Sequence, residues 1–141
     1  MSNLNERVRA AEVAARPMAA NAVALSGQGA TTTIAVEDVL TERRRQMTTE
    51  GWTPDHDDNH KDGSLALAAA CYASMAAAYF ETGAKIKDED YAHIQCGFNW
   101  PRSWSRKYWK PKNARRDLVR AAAMIIAEIE RIDRAATKVR P

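Results

Sequence analysis

The sequence predicts a mostly α protein, a small helical domain carrying one irregular aromatic-rich loop. Three observations predict it. Apolar residues recur at steps of three and four over long stretches, above all Leu118, Ala122, Ile125, Ile129, Ile132 and Ala136. No stretch alternates apolar and polar residues long enough to specify a strand. Helix punctuation stands where the periodic runs begin and end: Thr33, Thr53-Pro54, Asp62-Gly63-Ser64 and Asn113 at starts, Gly51 and Gly83 at stops.

With 141 residues, 45% hydrophobic and 28% charged, the chain suits one folded domain of modest core. We divide it into residues 1–33, an N-terminal helix and flexible linker; residues 34–137, the helical domain; and residues 138–141, a tail. Leu4, Val8, Ala11 and Ala15 are at helical spacing until Pro17, and Met18 to Thr33 is rich in Ala, Asn, Ser, Gly and Thr. Ser26-Gly27-Gln28-Gly29-Ala30 does not make a phosphate loop, because no strand precedes it and no Lys-Ser/Thr follows.

The next helix should run from Thr33 to about Glu50, with Glu37 and Asp38 in its first turn. Val36, Val39, Leu40 and Met47 run along one side, and Gly51 would take the C′ position. Trp52 should anchor the turn. Thr53 as N-cap and Pro54 at N1 would open a short helix over Asp55 to His60. Leu65 to Thr82 is alanine-rich, with larger side chains at Leu65, Tyr72, Met75 and Tyr79, which suits a central helix that a neighbour approaches closely. Ala84 to Asp90 is polar, and Tyr91 to Gln95 suits a short helical piece. Cys96 to Lys112 is irregular, and Asn113 should cap the last helix, whose apolar seam predicts a homo-oligomer. Glu130 and Arg134 should pair along it.

Cys71 and Cys96 make no CxxC, and no run is apolar enough for a secretory or membrane-spanning segment. The expectation is a cytoplasmic protein with no membrane partner. The net charge is +3, but the cations are clustered.

Chemistry concentrates in two segments. Glu42 to Gly63 holds two of the three histidines and four aspartates beside Gly51-Trp52. Asn99 to Arg116 interleaves Trp100, Trp104, Tyr108 and Trp109 with Arg102, Arg106, Lys107, Lys110, Lys112, Arg115 and Arg116, residues able to stack on bases and neutralise phosphate. His56 and His60 at i and i+4 are candidate metal ligands, with Asp57, Asp58 or the distant His93 to complete a set. A calcium loop fails, since His60 stands where Gly is needed and Ala66 where the bidentate Glu should be. Asp57 and Asp58, being adjacent, need a compensating cation, for which Arg115 and Arg116 are candidates.

The run Glu50-Gly51-Trp52-Thr53-Pro54-x-His56-Asp57-Asp58, then Cys71-Tyr72, then Trp109-Lys110-Pro111-Lys112-x-x-Arg115-Arg116-x-Leu118-Val119, resembles a family of small uncharacterised phage and prophage proteins over Val39 to Ala135. Gly51, Trp52, Asp57 and Asp58 are also similar to the signature of the ryanodine-receptor repeat (RyR domain), although Thr53-Pro54 replaces its usual aromatic-glycine pair. RyR-like domains in bacteria are associated with nucleotide-dependent defence, so this resemblance implies a nucleotide-binding role in a host cytoplasm.

The expected function is therefore non-enzymatic binding of a nucleotide or nucleotide-derived signal, in the manner of a phage anti-defence sponge, with no cofactor. Trp52, Trp104 and Trp109 would stack on bases; Arg106, Lys107, Lys110, Arg115 and Arg116 would hold phosphates; Asp57 and Asp58 would accept from ribose or base. Two alternatives stand beside it: a metal-dependent nucleotide phosphohydrolase using His56, His60, Asp57 and Asp58, and a nucleic-acid-binding or structural interaction module.

Overall fold

The computed structural model describes residues 32–82 and 100–139. The expectations for Leu4 to Ala15, the linker up to residue 31, the stop at Gly83, the segments 84–99 with His93 and Cys96, and the last two residues lie outside them. Four α-helices and one 3₁₀ turn make up the described regular structure: α1 (Ile34–Thr48), α2 (Pro54–Asp57), α3 (Ser64–Thr82), the 3₁₀ turn (Arg106–Tyr108) and α4 (Ala114–Val139). The predicted mostly α class is what is found. α4 is the shared element, against which α3, α1 and α2 all pack. It continues to Val139, two residues past the expected end of the helical domain.

Each helix begins where a side chain replaces the missing backbone acceptor. Thr33 Oγ1 accepts from the Val36 amide at 3.4 Å, Thr53 Oγ1 from the His56 amide at 3.3 Å, and Asn113 Oδ1 from the Arg116 amide at 2.9 Å. Pro54 occupies the first turn of α2, where its missing N–H costs nothing. α2 is shorter than expected, and His60 lies beyond it in the following turn. Before α3, Gly63 has φ +76° with nothing near its absent Cβ, so backbone conformation and not space calls for glycine there.

The stop of α1 differs by a register from the sequence expectation. Thr49 is the C-cap, and Gly51, at φ +76°, lies two residues beyond it. The Trp52 amide then donates back to the Gln46 carbonyl at 3.0 Å, which turns the chain toward α2 and half-buries the Trp52 ring.

The apolar core lies between α3 and α4. Ala68, Ala69, Cys71, Tyr72, Met75, Ala76 and Tyr79 from α3 meet Ala121 and Met124 from α4, with Trp100 and Trp109 closing one side. Alanine lets the two backbones approach, and the few large side chains fill what remains. Leu65, Tyr72, Met75 and Tyr79 are all buried, as their spacing predicts.

On two helices the apolar stripe is not the face turned to the core. The side of α1 turned to the protein is polar: Glu42, Arg43 and Gln46 are buried, whereas Val36 and Leu40 are exposed, and Val39 and Met47 are half-buried. Paired charges fill the α1–α4 space, so the apolar residues do not need to. On α4 the heptad-like seam does not face the core. Leu118, Ile125, Ile129 and Ile132 are 46, 48, 52 and 50% exposed, while Asp117, Val119, Ala121, Ala123, Met124 and Ala127 are buried. Small residues on the opposite face carry the close packing, and the large ones are left outside.

Candidate functional site

The two segments singled out in the sequence do meet. Trp52, from the turn after α1, lies 6.0 Å from Trp104 and 6.2 Å from Tyr108, ring centroid to centroid. Trp104 also meets His60 at 5.3 Å and Trp100 at 5.8 Å. A row of rings therefore runs from His56, 4.8 Å from His60, through Trp104 and Trp52 to Tyr108. These separations are those of favourable tilted and edge-to-face pairs.

The loop that carries this row is pinned from two sides. The Tyr72 hydroxyl donates to the Tyr108 carbonyl at 2.9 Å and accepts from the Lys110 amide at 3.0 Å. Asp117, fully buried, accepts the Lys112 amide on both carboxylate oxygens at 3.0 and 3.1 Å. Arg120 donates to the Lys110 carbonyl and lies over the Tyr72 ring at 5.6 Å. Burial pushes the Asp117 carboxyl up to about 6, although the Lys112 amide and the nearby Arg120 and Arg116 pull the other way. The Tyr79 hydroxyl is pushed up to about 12, by burial first and then by the Asp117 charge.

Asp57 and Asp58 of the first segment are each held by cations. Arg43 Nη2 donates to Asp57 Oδ2 at 2.8 Å and to Glu130 Oε2 at 2.8 Å, and its Nη1 donates to the Trp52 carbonyl at 3.3 Å. Asp58 is held by Arg134 at 2.9 Å and Lys138 at 3.0 Å, whose hydrogen bonds, Arg134 first, keep its carboxyl below the usual range. The compensating cations are thus Arg43, Arg134 and Lys138, in place of Arg115 and Arg116; and Glu130 pairs with Arg43 in place of Arg134.

Arg115 and Arg116 are engaged as well. Arg115 pairs with Asp38 at 2.8 Å, and Arg116 with Glu42. Burial alone would raise the Glu42 carboxyl, but the bonds from Arg45 and Arg116 outweigh it and hold it low. Trp109 sits in the core, 4.7 Å from Tyr72 and 5.3 Å from Trp100, and is not on the surface row.

Of the residues expected to bind, Trp52, Trp104, Arg106, Lys107 and Lys110 are gathered at one accessible face. Asp57, Asp58, Trp109, Arg115 and Arg116 are committed to internal contacts. Tyr108 and His60 belong to the face and were missing from the expected set. Tyr108 was legible beside Lys107, over which the cation rests at 5.0 Å; His60 became a member only through Trp104, 44 residues away.

The metal reading meets the donor chemistry of His60. The Trp104 indole N–H, which can only donate, points to His60 Nδ1 at 3.4 Å, and the Ser64 hydroxyl lies 3.2 Å from the same atom. Nδ1 is therefore the acceptor and Nε2 carries the proton, leaving no lone pair for a metal in this arrangement. Burial, then the neighbouring His56, lowers the His60 pKa, so the ring is neutral at pH 7. Among the described residues, no group of three or more His, Cys, Asp or Glu side chains is placed to hold a metal ion.

Beneath the face, a cavity of about 40 Å³ is lined by Glu42, Gln46, Trp52, Tyr72, Tyr108 and their neighbours, room for water molecules and too small for a nucleobase. A larger cleft of about 360 Å³ opens between Asp62, Ser64, Leu67, Trp100, Pro101, Arg102 and Ser103. No described helix is long and apolar enough to cross a membrane.

No family model, curated protein or solved structure matches the chain.

Proposed function

We propose that the protein binds a nucleotide-type ligand on an open aromatic and basic face, without turning it over. One observation carries this reading. Trp52, Trp104 and Tyr108 form a contiguous, partly accessible row beside Arg106, Lys107 and Lys110, three exposed cations with no ion-pair partner among the described residues, while the neighbouring Arg115 and Arg116 are neutralised by Asp38 and Glu42. Rings that expose a face stack on bases, and unpaired cations beside them hold phosphate.

The binding set is thereby narrowed to Trp52, Trp104, Tyr108, Arg106, Lys107 and Lys110. Binding without chemistry fits the commitment of Asp57 and Asp58 to Arg43, Arg134 and Lys138. A sponge for a signalling nucleotide would need no more than this.

Isothermal titration with a panel of cyclic and linear nucleotides tests the proposal. Binding is expected for at least one, weakened roughly 5- to 150-fold by Trp104→Ala, the cost of about 1–3 kcal/mol of lost stacking, and left unchanged by Lys138→Ala. Absence of heat across the panel would sink it. Steep salt dependence with single-stranded oligonucleotides and indifference to mononucleotides would replace it with a nucleic-acid-binding role.

A further inference from the structure

Among the described residues, the outer face of α4 is not turned to the core. Leu118, Ala122, Ile125, Ile129, Ile132 and Ala136 step by four and three along about 27 Å of helix, and the four large ones are about half exposed. No charged residue interrupts the seam. Core packing on α4 is done by Asp117, Ala121, Met124 and Ala127, which lie from about a sixth to a half of a turn away from the middle of the seam. α1 also leaves Val36 and Leu40 exposed. Two independent elements thus leave apolar side chains outward.

We propose that this seam pairs with the same seam of a second copy, the two α4 helices running antiparallel about a two-fold axis near Ala127. The sequence is self-complementary in that register. Leu118 of each copy meets Ala136 of the other, Ala122 meets Ile132, and Ile125 meets Ile129, so every layer joins a large residue to a small one or two isoleucines at the centre. A parallel pairing would stack Ala122 on Ala122 and Ala136 on Ala136 and leave gaps.

The area is of the size that a specific pair needs. Half-exposed leucines and isoleucines offer on the order of 80 Å² each, and with the alanines the patch comes to roughly 400 Å², the size at which an apolar patch on a monomer is often an interaction site. Two such patches bury on the order of 800 Å², and their polar rim brings the total to the range of specific interfaces. The chain's own amphipathic segment Leu4 to Ala15 is a poorer occupant: as a helix it would span only about 18 Å and offers two larger apolar side chains, Leu4 and Val8.

Sedimentation velocity on the full chain across micromolar concentrations reads the state directly, and a dimer is expected. Ile125→Glu and Ile129→Glu should each give monomers with unchanged helical circular dichroism, because both side chains are half exposed in the protomer. The orientation is read by oxidising a mixture of Ala122→Cys and Ile132→Cys chains in a Cys96→Ser background, with buried Cys71 retained. The mixed disulfide is expected. Self-linked Ala122→Cys dimers would overturn the antiparallel register. A monomeric wild type, or glutamate variants that remain dimeric, would overturn the proposal. A monomer in which Leu4→Asp with Val8→Asp exposes an Ile129→Cys thiol would overturn it in favour of the N-terminal segment.

Discussion

α4 is packed in two different ways along its two sides. Against α3 the contact is apolar and close, alanine on alanine with Met75, Met124, Tyr72 and Tyr79 filling the space. Against α1 it is ionic: Arg43 joins Asp57 and Glu130, and Glu42 joins Arg45, Arg116 and the Gln46 amide. The first interface gains free energy by removing apolar surface from water. The second pays desolvation to bring charges inside and recovers it through several hydrogen bonds per group, so its net contribution is small although its geometry is strict. That strictness serves the site, since the same Arg43 guanidinium holds the Trp52 carbonyl and so sets where the aromatic row begins.

The difference makes the ionic side the more brittle. Arg43→Ala should cost the most, about 3–5 kcal/mol in urea unfolding, because Asp57 would stay buried without its counter-charge. Arg43→Met combined with Asp57→Leu should recover most of that loss. A double variant as unstable as the single one would show that shape, and not charge, governs this interface.

On the apolar side, Met124→Ala should cost about 2–4 kcal/mol by the same measurement, from lost burial plus the cavity left among alanines that cannot collapse further. A loss as large as that of Arg43→Ala would erase the contrast between the two sides.

Acidity separates the two sides more finely. Asp117 has its folded pKa raised to about 6 above an ordinary value of 3.8, so the native state binds more protons between those values. Its contribution to stability is present below about pH 4 and is lost as pH rises through 6. Glu42 has a lowered pKa and works oppositely, contributing at neutral pH and losing that as pH falls. Asp117→Asn should therefore gain on the wild type between pH 4 and 7, by up to about 3 kcal/mol. A constant difference across that range would mean that the Asp117 carboxylate is fully compensated by the Lys112 amide and Arg120.

Local signals in the sequence were strong wherever a side chain meets its own backbone. Thr33, Thr53, Pro54 and Asn113 start helices because the groups they satisfy lie within three residues, and Gly63 is required by its own φ. The alanine-rich run likewise announced α3 as the central helix, since only a close neighbour makes such a composition useful. The aromatic and basic stretch was visible as chemistry, and Trp104, Arg106, Lys107 and Lys110 of it do lie on the accessible face.

Which residue meets which was not legible, because it depends on how the elements sit in space. The stepped isoleucines of α4 gave the same pattern whether they faced a core or a partner, and only the packing of α3 on the alanine side turned them outward. Asp57 and Asp58 read as ligand-binding carboxylates until Arg43, Arg134 and Lys138 were brought to them from up to 80 residues away. The sequence by itself determined the helices, their caps and the inventory of rings and charges, all matters of near neighbours. The tertiary structure alone decided which charges neutralise one another and which stay unpaired at the surface, because burying a charge requires a counter-charge in space and not in sequence.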